Sequence, residues 1–360
     1  MDNIIKLAKH LVEVACDVKK NNLVYIDLSG DYCELVSSVI EEVYAKGAIP
    51  YLNLSGNNKI KALCKLGNED LSNKALNLWA KHDADLIRRA DWFIEILNDD
   101  MLANLDSDVV LQYKEQYYHT AHWETRMSEK VKTRSSKWVT VRNPNKYVYA
   151  HGQYKGKESD DLVWKAYGAD YEKMKADCEP LIKLLENTDN VRIISVGTDI
   201  TINIKNQPVV GCFGEINMPD GEIFIGPVKD KINGKIKFNM PAWYMNEKFE
   251  YISFSIVDGK VVNASSDNDF IYNILEIDQG ARYFGEFAFG VNPNIDRPIG
   301  NIIFDEKIFG SIHLALGNCY ASSPNGNSSA IHWDLILDLR KNGKIFFDNK
   351  LIFDNGKYLI

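Results

Sequence analysis

Glu222, Glu286, His313, His332 and Asp334 are the residues of this chain whose types and settings could do chemistry together. Each lies in a short apolar segment that reads as a strand. Residues two apart on a strand project from the same face, so His332 and Asp334 in IHWDLIL present an imidazole and a carboxylate side by side. In SIHLALG, Ile312, Leu314 and Leu316 take one face, and His313 shares the other with Ser311, Ala315 and Gly317. In FGEFAFG, Phe287 and Phe289 point one way, while Glu286 shares its face with Ala288 and Gly290. Small neighbours leave room for ions and a substrate, and a buried Glu needs a charge partner or a metal. Taken singly, each residue could be a hydrogen-bonded structural residue. Together, three carboxylates and two imidazoles exceed the needs of one tetrahedral zinc. Carboxylates also bridge ions, so the set suits a two-metal hydrolytic site.

A competing cluster, His119-x-x-His122-x-Glu124, would place both histidines on one helix face. It lacks the His-Glu-x-x-His order that sets a general-base Glu between two histidines, so a surface or interdomain role is expected. His10 and His82 are expected on helix surfaces. Cys319, beside Tyr320, is read as packing rather than as a nucleophile. The six cysteines are scattered with no Cys-x-x-Cys pair, giving neither a thiolate zinc pattern nor a disulfide framework.

The elements that must position these groups fall into two kinds. Up to about residue 100, helix and strand signals alternate. An amphipathic helix runs through Ile4, Leu7, Leu11 and Ala15, followed by strand Leu23–Ser29 and a helix through Leu35, Val39 and Val43 that stops at Gly47 and Pro50. Strand Tyr51–Leu54, helix Leu71–Lys81 and strand Trp92–Leu97 complete an open, largely parallel α/β layer. It carries no glycine-rich nucleotide fingerprint. A polar helical stretch (109–132), strand WVTVR (138–142) and a helical segment (160–186) follow. From Val191 the chain becomes short strands with turn dipeptides at Asn233-Gly234, Asp258-Gly259, Asn342-Gly343 and Asn355-Gly356, and one helix near Phe270–Leu275. The expected organisation is an N-terminal α/β domain over 1–186 and a β-rich (α+β) catalytic domain over 187–360. At 360 residues, with 45% apolar and 26% charged residues, two soluble domains are the default. The net charge of −8 and the lack of a basic stripe argue against nucleic-acid binding; KVKTRSSK (130–137) reads as a solvated helix end. The N-terminal segment is neither signal peptide nor membrane span, and a reducing cytoplasm is the expected location.

Four segments carry a resemblance: Asn217–Pro241, Gln279–Pro293, Gly310–Tyr320 and Ser328–Arg340, with looser likeness over NPNKYVYAHGQYKG and YGADYEKM. In combination they resemble the aminopeptidase T / aminopeptidase S family of thermophilic-type dinuclear metalloaminopeptidases. The resemblance implies metal ligation by Glu222, Glu286, His313, Tyr320, His332 and Asp334, with Glu222, Glu286 and Tyr320 also serving the reaction. It implies two divalent ions (zinc, cobalt or manganese), peptide substrates and a homodimer. Either Glu222 or Glu286 bridges the ions, Tyr320 ligates a metal or donates to an oxyanion, and no general base is evident. Two positions depart from the family pattern: Ile225-Gly226 stands where Thr-Ala is usual, and the stretch Ala321–Asn327 is short. A mononuclear iron ring-cleaving dioxygenase on the same fold is the enzymatic alternative, since it needs only three ligands. A non-catalytic binding protein is the other.

Overall fold

The computed structural model describes residues 2–54, 69–98, 137–149, 156–245 and 247–360. The His119–His122–Glu124 cluster and the 109–132 stretch lie outside them. The chain folds as two units. The first is formed mainly by the first 150 residues, with Lys155–Tyr167 and Gly214–Met218; the second mainly by Gly168–Phe213 and Pro219–Ile360.

In the first unit, strands β1 (Leu23–Gly30), β2 (Ile49–Leu54), β3 (Trp92–Asn98), β4 (Lys137–Arg142) and the two-residue β8 (Asn217–Met218) form one sheet in the order β2-β1-β3-β4-β8, with every pairing parallel. Helix α1 (Asp2–Lys9) runs into a π-helical turn (His10–Ala15), and α2 (Glu34–Ala45) follows β1. Helix α3 runs from Glu69 to Arg89, well past Lys81, because its apolar spacing continues to Ile87, which packs with Tyr25, Ala90 and Phe93. His10 is not a surface residue: it is half-buried, with Nε2 2.9 Å from the Gly214 carbonyl oxygen. Among the described residues no helix is long and apolar enough to cross a membrane.

The helical segment before residue 187 breaks into α4 (Lys157–Tyr167) and α5 (Tyr171–Leu185), where Asp170 caps α5 by accepting from the Lys173 amide at 2.9 Å. Sequence placed α5 ahead of a boundary at 187, but its contacts put it in the second unit: the Tyr171 hydroxyl accepts from the Asp220 amide, and Met174 lies against Gly221.

That second unit holds an eight-stranded sheet and a five-stranded sheet. The larger one is ordered β14 (Lys260–Ser266), β13 (Ile252–Val257), β10 (Ile232–Phe238), β6 (Thr198–Asn203), β5 (Asn190–Ser195), β18 (Lys344–Phe347), β19 (Lys350–Asp354) and β20 (Lys357–Tyr358). The smaller one is ordered β17 (His332–Asp338), β16 (Ser311–Gly317), β15 (Phe284–Gly290), β9 (Glu222–Ile225) and β7 (Val209–Cys212), antiparallel throughout. A two-stranded ribbon, β11 (Ala242–Tyr244) with β12 (Glu247–Phe249), sets Tyr244 and Phe249 against Trp333. Helix α6 (Phe270–Leu275) falls where sequence placed it. Asp258-Gly259 and Asn355-Gly356 join paired strands, both residues of each pair having positive φ, as a tight hairpin requires. Asn233-Gly234 does not turn: it lies inside β10, where Gly234 presses on the Asp199 carbonyl of the neighbouring strand. Asn342-Gly343 joins strands of different sheets.

Strict alternation along FGEFAFG would put Phe284 on the same face as Glu286. A β-bulge at Gly285 prevents this: Phe284 pairs with Leu316 and Glu286 with Ala315, so Phe284 joins Phe287 and Phe289 on the apolar face. That face meets the larger sheet through Phe284–Phe254 and Phe289–Phe347, leaving Glu286 on the opposite side. An added Cβ at Gly285 would stand 2.1 Å from the Asn318 carbonyl oxygen. Gly285→Ala should therefore lower stability by about 1–3 kcal/mol, read as a lower urea midpoint with unchanged slope. An unchanged midpoint would mean that the bulge does not depend on this glycine.

Candidate metal centre

The five residues singled out by sequence converge on the face of the five-stranded sheet opposite Phe284, Phe287 and Phe289. Register explains how. Asp334 sits opposite Ala315, which sits opposite Glu286; His332 faces Gly317; His313 faces Ala288; and Glu222 lies between Gly290 and Cys212. Each functional side chain thus has an alanine or glycine as cross-strand neighbour on at least one side, which leaves space above the sheet.

His332 Nε2 lies 3.3 Å from Glu286 Oε2 and 3.6 Å from Asp334 Oδ1, and His313 Nε2 lies 3.4 Å from Glu222 Oε2 and 3.5 Å from Glu286 Oε1. These gaps are long for hydrogen bonds. They match the roughly 3.3 Å that separates two ligand atoms on one tetrahedral ion with bonds of about 2.0–2.1 Å. Asp334 Oδ1 is buried and has no hydrogen-bond partner, as an atom awaiting a cation would be. Glu222–Glu286–His313, Glu286–His332–Asp334 and Glu306–His313–Asp334 each bring their donor atoms within 4.8 Å of one another. The set fits divalent metal.

Three members of this neighbourhood escaped the sequence reading: Asp220, Glu306 and Lys307. Glu306 and Lys307 follow a short helix, α7 (Ile302–Asp305), whose Asp305 carboxylate accepts from the amides of Ile299, Gly300 and Asn301 at 2.7–3.2 Å. Lys307 is fully buried, its Nζ 2.6 Å from Glu222 Oε1 and 2.7 Å from Glu306 Oε1. The only signal in the sequence was Asp305-Glu306-Lys307 interrupting an apolar run. Tyr320 lies as expected beside the site, its ring 4.7 Å from that of His332 and 5.6 Å from that of Phe224. The Cys319 thiol contacts the Asn327 carbonyl. His82 is exposed, next to Asp83.

The electrostatics are those of crowded, dehydrated carboxylates. Burial pushes Glu222 up, but Lys307 and His313 bring it below its ordinary value. Burial likewise opposes ionisation of Glu286, yet His313 and His332 hold it well below the usual range. Asp334 is raised, by burial and then by Glu286 and Glu222, against the pull of the two imidazoles. Burial lifts Glu306 to about 8 and Asp305 to about 7. Burial disfavours charge on the imidazoles, but the carboxylates win: His313 lies well above its ordinary value, and His332 is pushed up to about 10. Tyr320 is pushed well up by burial and the carboxylates, so it stays a phenol. His332 Nδ1 lies 2.8 Å from the Asn318 carbonyl oxygen, a contact that turns Nε2 toward the carboxylates.

The two segments expected to depart from the family pattern meet here. Ser323, in the short stretch after Tyr320, accepts from the Gly226 amide at 2.7 Å and donates to the Pro208 carbonyl. Its own carbonyl oxygen would be 2.1 Å from a Cβ at position 226. Asn325 ties the same stretch to the carbonyls of Pro227 and Phe284. The glycine and the close-lying stretch are sterically interdependent.

Comparison with known proteins places the chain. The family model of thermophilic metalloproteases (M29) matches residues 1–358, and the chain belongs to that family. It is 24% identical to aminopeptidase AmpS of Bacillus subtilis (strain 168) over 371 aligned positions, covering 92% of this chain and 88% of the relative. Over 118 positions, 31% of this chain and 28% of the relative, it is 30% identical to aminopeptidase 2 of Geobacillus stearothermophilus. The structure of wild-type AmpT from Thermus thermophilus superposes with a TM-score of 0.82 over 100% of this chain and 99% of that one, at 17% identity, so the two share a fold.

Two opposing pH dependences follow, one for the stability of the metal-free protein and one for metal uptake. A folded-state pKa raised from 6.5 to about 10 at His332 means stabilisation fully present below pH 6.5 and lost as pH rises through about 10. Metal needs the neutral imidazoles, so uptake at pH 8 should release about two protons per chain. The melting temperature of the metal-free protein should fall between pH 6.5 and 10, and the gap to the zinc-loaded protein should widen over that window. Zinc uptake at pH 8 without proton release would remove His313 and His332 from the ligand set.

Proposed function

We propose that this protein is a metal-dependent aminopeptidase that removes the N-terminal residue of peptides, with two divalent ions held by Glu222, Glu286, His313, His332 and Asp334. What supports two ions is how the carboxylate oxygens are divided. Glu286 turns Oε1 toward His313 and Oε2 toward His332, so one carboxylate would serve both imidazoles' sides of the site. Glu222 gives only Oε2 to the His313 side, because Oε1 faces Lys307. Of the two glutamates, Glu286 is thus the proposed bridge. A ring-cleaving iron site would need three ligands and leaves the additional buried carboxylates without a role.

When bound, the ions supply Lewis acidity, lowering the pKa of water toward neutrality and polarising a carbonyl. The chain's own residues do the rest. Tyr320, a neutral phenol beside His332, donates a hydrogen bond to the oxyanion that develops on the scissile carbonyl. Glu306, lifted to about 8 by burial, is a carboxyl able to hold or release a proton near neutral pH, and it stands beside His313 and Asp334. The Asn318 carbonyl keeps His332 oriented, and the surplus of carboxylates favours a substrate with a free, protonated amine. The names of the relatives, all aminopeptidases, support exopeptidase action. We read the second unit as the catalytic one. Zinc, cobalt or manganese suits the nitrogen and oxygen donors, and the protein is read as a cytoplasmic homodimer acting on peptides.

His332→Ala and Asp334→Ala should each lower kcat/KM on an aminoacyl chromogenic substrate by more than about 100-fold, since loss of an outer partner alone costs 10–100-fold. Bound metal should fall while the circular dichroism spectrum stays native. An N-acetylated peptide should resist cleavage where its free-amine counterpart is cut. Activity should be weak below about pH 6, where protons compete most strongly with metal for the imidazoles, and plateau at mildly alkaline pH. Full activity with unchanged metal content in either variant, or equal cleavage of the blocked peptide, would refute the assignment.

A further inference from the structure

The carboxylate cluster has a second side that the proposed reaction does not use. Cys212, Asp220 and Glu222 are all buried, and each offers one donor atom within 4.8 Å of the others. By composition this is a mixed donor set, one soft thiol with two hard carboxylates. Lys307 is the cation that serves it. The ammonium is 2.6 Å from Glu222 Oε1 and 2.7 Å from Glu306 Oε1, and Asp220 adds to the field that keeps it charged. Its placement is built into the backbone. An added Cβ at Gly290 would stand 2.3 Å from the Ile308 carbonyl oxygen and 2.8 Å from that of Glu306, so the chain that delivers Lys307 lies directly against this glycine. The Asn292 amide donates to the Lys307 carbonyl at 3.0 Å, and its side chain donates to the Asp220 carbonyl at 2.7 Å, tying the lysine to the carboxylates it neutralises.

We propose that Lys307 is a resident cation that closes the Cys212–Asp220–Glu222 side to metal and so confines metal ions to the side of His313, His332 and Asp334. This rests on the metal-dependent reading above. The charge a second-side ion would supply is already present as an ammonium, and no divalent ion can share Glu222 Oε1 with it without strong repulsion. Lys307 is thus a positioning and metal-selecting residue: it fixes which oxygen of Glu222 faces His313 and keeps a buried thiol out of the ligand set. Replacing it by an uncharged side chain leaves Asp220 and Glu222 without that countercharge. A thiophilic ion could then enter, with Cys212 losing its proton to become a ligand.

The test is cobalt and cadmium loading of the full chain as wild type, Cys212→Ser, Lys307→Met and the Lys307→Met/Cys212→Ser double variant. Metal content and near-ultraviolet absorption are read together. Wild type and Cys212→Ser should hold the same metal and show no sulfur-to-cobalt charge-transfer band. Lys307→Met should bind about one further equivalent per chain with that band, and the double variant should lose both. Lys307→Met with native circular dichroism, wild-type stoichiometry and no band would overturn the proposal. So would a band in the wild type that Cys212→Ser abolishes, and that comparison decides the matter if Lys307→Met does not fold. A wild type that takes up no metal would sink the metal-dependent reading itself. Metal uptake by the wild type with an unresponsive Lys307→Met would sink this proposal alone.

Discussion

Negative charge confined in a dry space is the constraint on which the second unit depends. Glu222, Glu286, Glu306 and Asp334 gather around His313 within a few ångströms, and all are largely shielded from water. Like charges that close repel strongly at low effective dielectric, and burying an unpaired carboxylate costs several kcal/mol. Among the described residues, one fixed cation, Lys307, lies within ion-pair distance of this group. The imidazoles respond by holding protons far above their usual range. A site so short of positive charge is suited to divalent metal cations. The small residues of the sheet, Ala288, Ala315, Gly290 and Gly317, are the geometric counterpart, for they leave the space those cations would take.

The supporting architecture follows from keeping one face of the sheet for polar chemistry and its reverse dry. Phe287 and Phe289 lie on the other face of the strand that carries Glu286, and Leu314 and Ile312 lie on the other face of the strand that carries His313. The bulge at Gly285 brings Phe284 into the same apolar layer. Burial of this layer against the eight-stranded sheet anchors the strands, and their register then sets the distances between donors.

Much of this was legible in the sequence because strands alternate. The faces assigned to Glu286, His313, His332 and Asp334 follow from a two-residue period, and the structure brings those residues together with Glu222. The parallel α/β layer was legible for a different reason, since helix and strand signals alternate along the first 100 residues. Glu306 and Lys307 could not be read this way. They come from the end of a four-residue helix, where no period exists, and they enter only because Gly290 lacks a side chain. Asn233-Gly234 looked like a hairpin turn, yet its glycine serves the close approach of two strands. A dipeptide shows what backbone is permitted and leaves open which tertiary demand uses that freedom. The expected boundary at residue 187 followed a change of composition, whereas α5 packs with the strands that come after it.

The pairing of Gly226 with the stretch carrying Ser323 has an evolutionary reading. A carbonyl oxygen seated where a methyl group would stand makes the two positions interdependent: a larger residue at 226 is tolerated only after the stretch moves away, and the stretch can lie this low only over glycine. Neither change is neutral without the other. If this interdependence holds across the family, substitution histories at 226 and 321–327 should be correlated, and ancestral states reconstructed one column at a time would combine halves that do not fit.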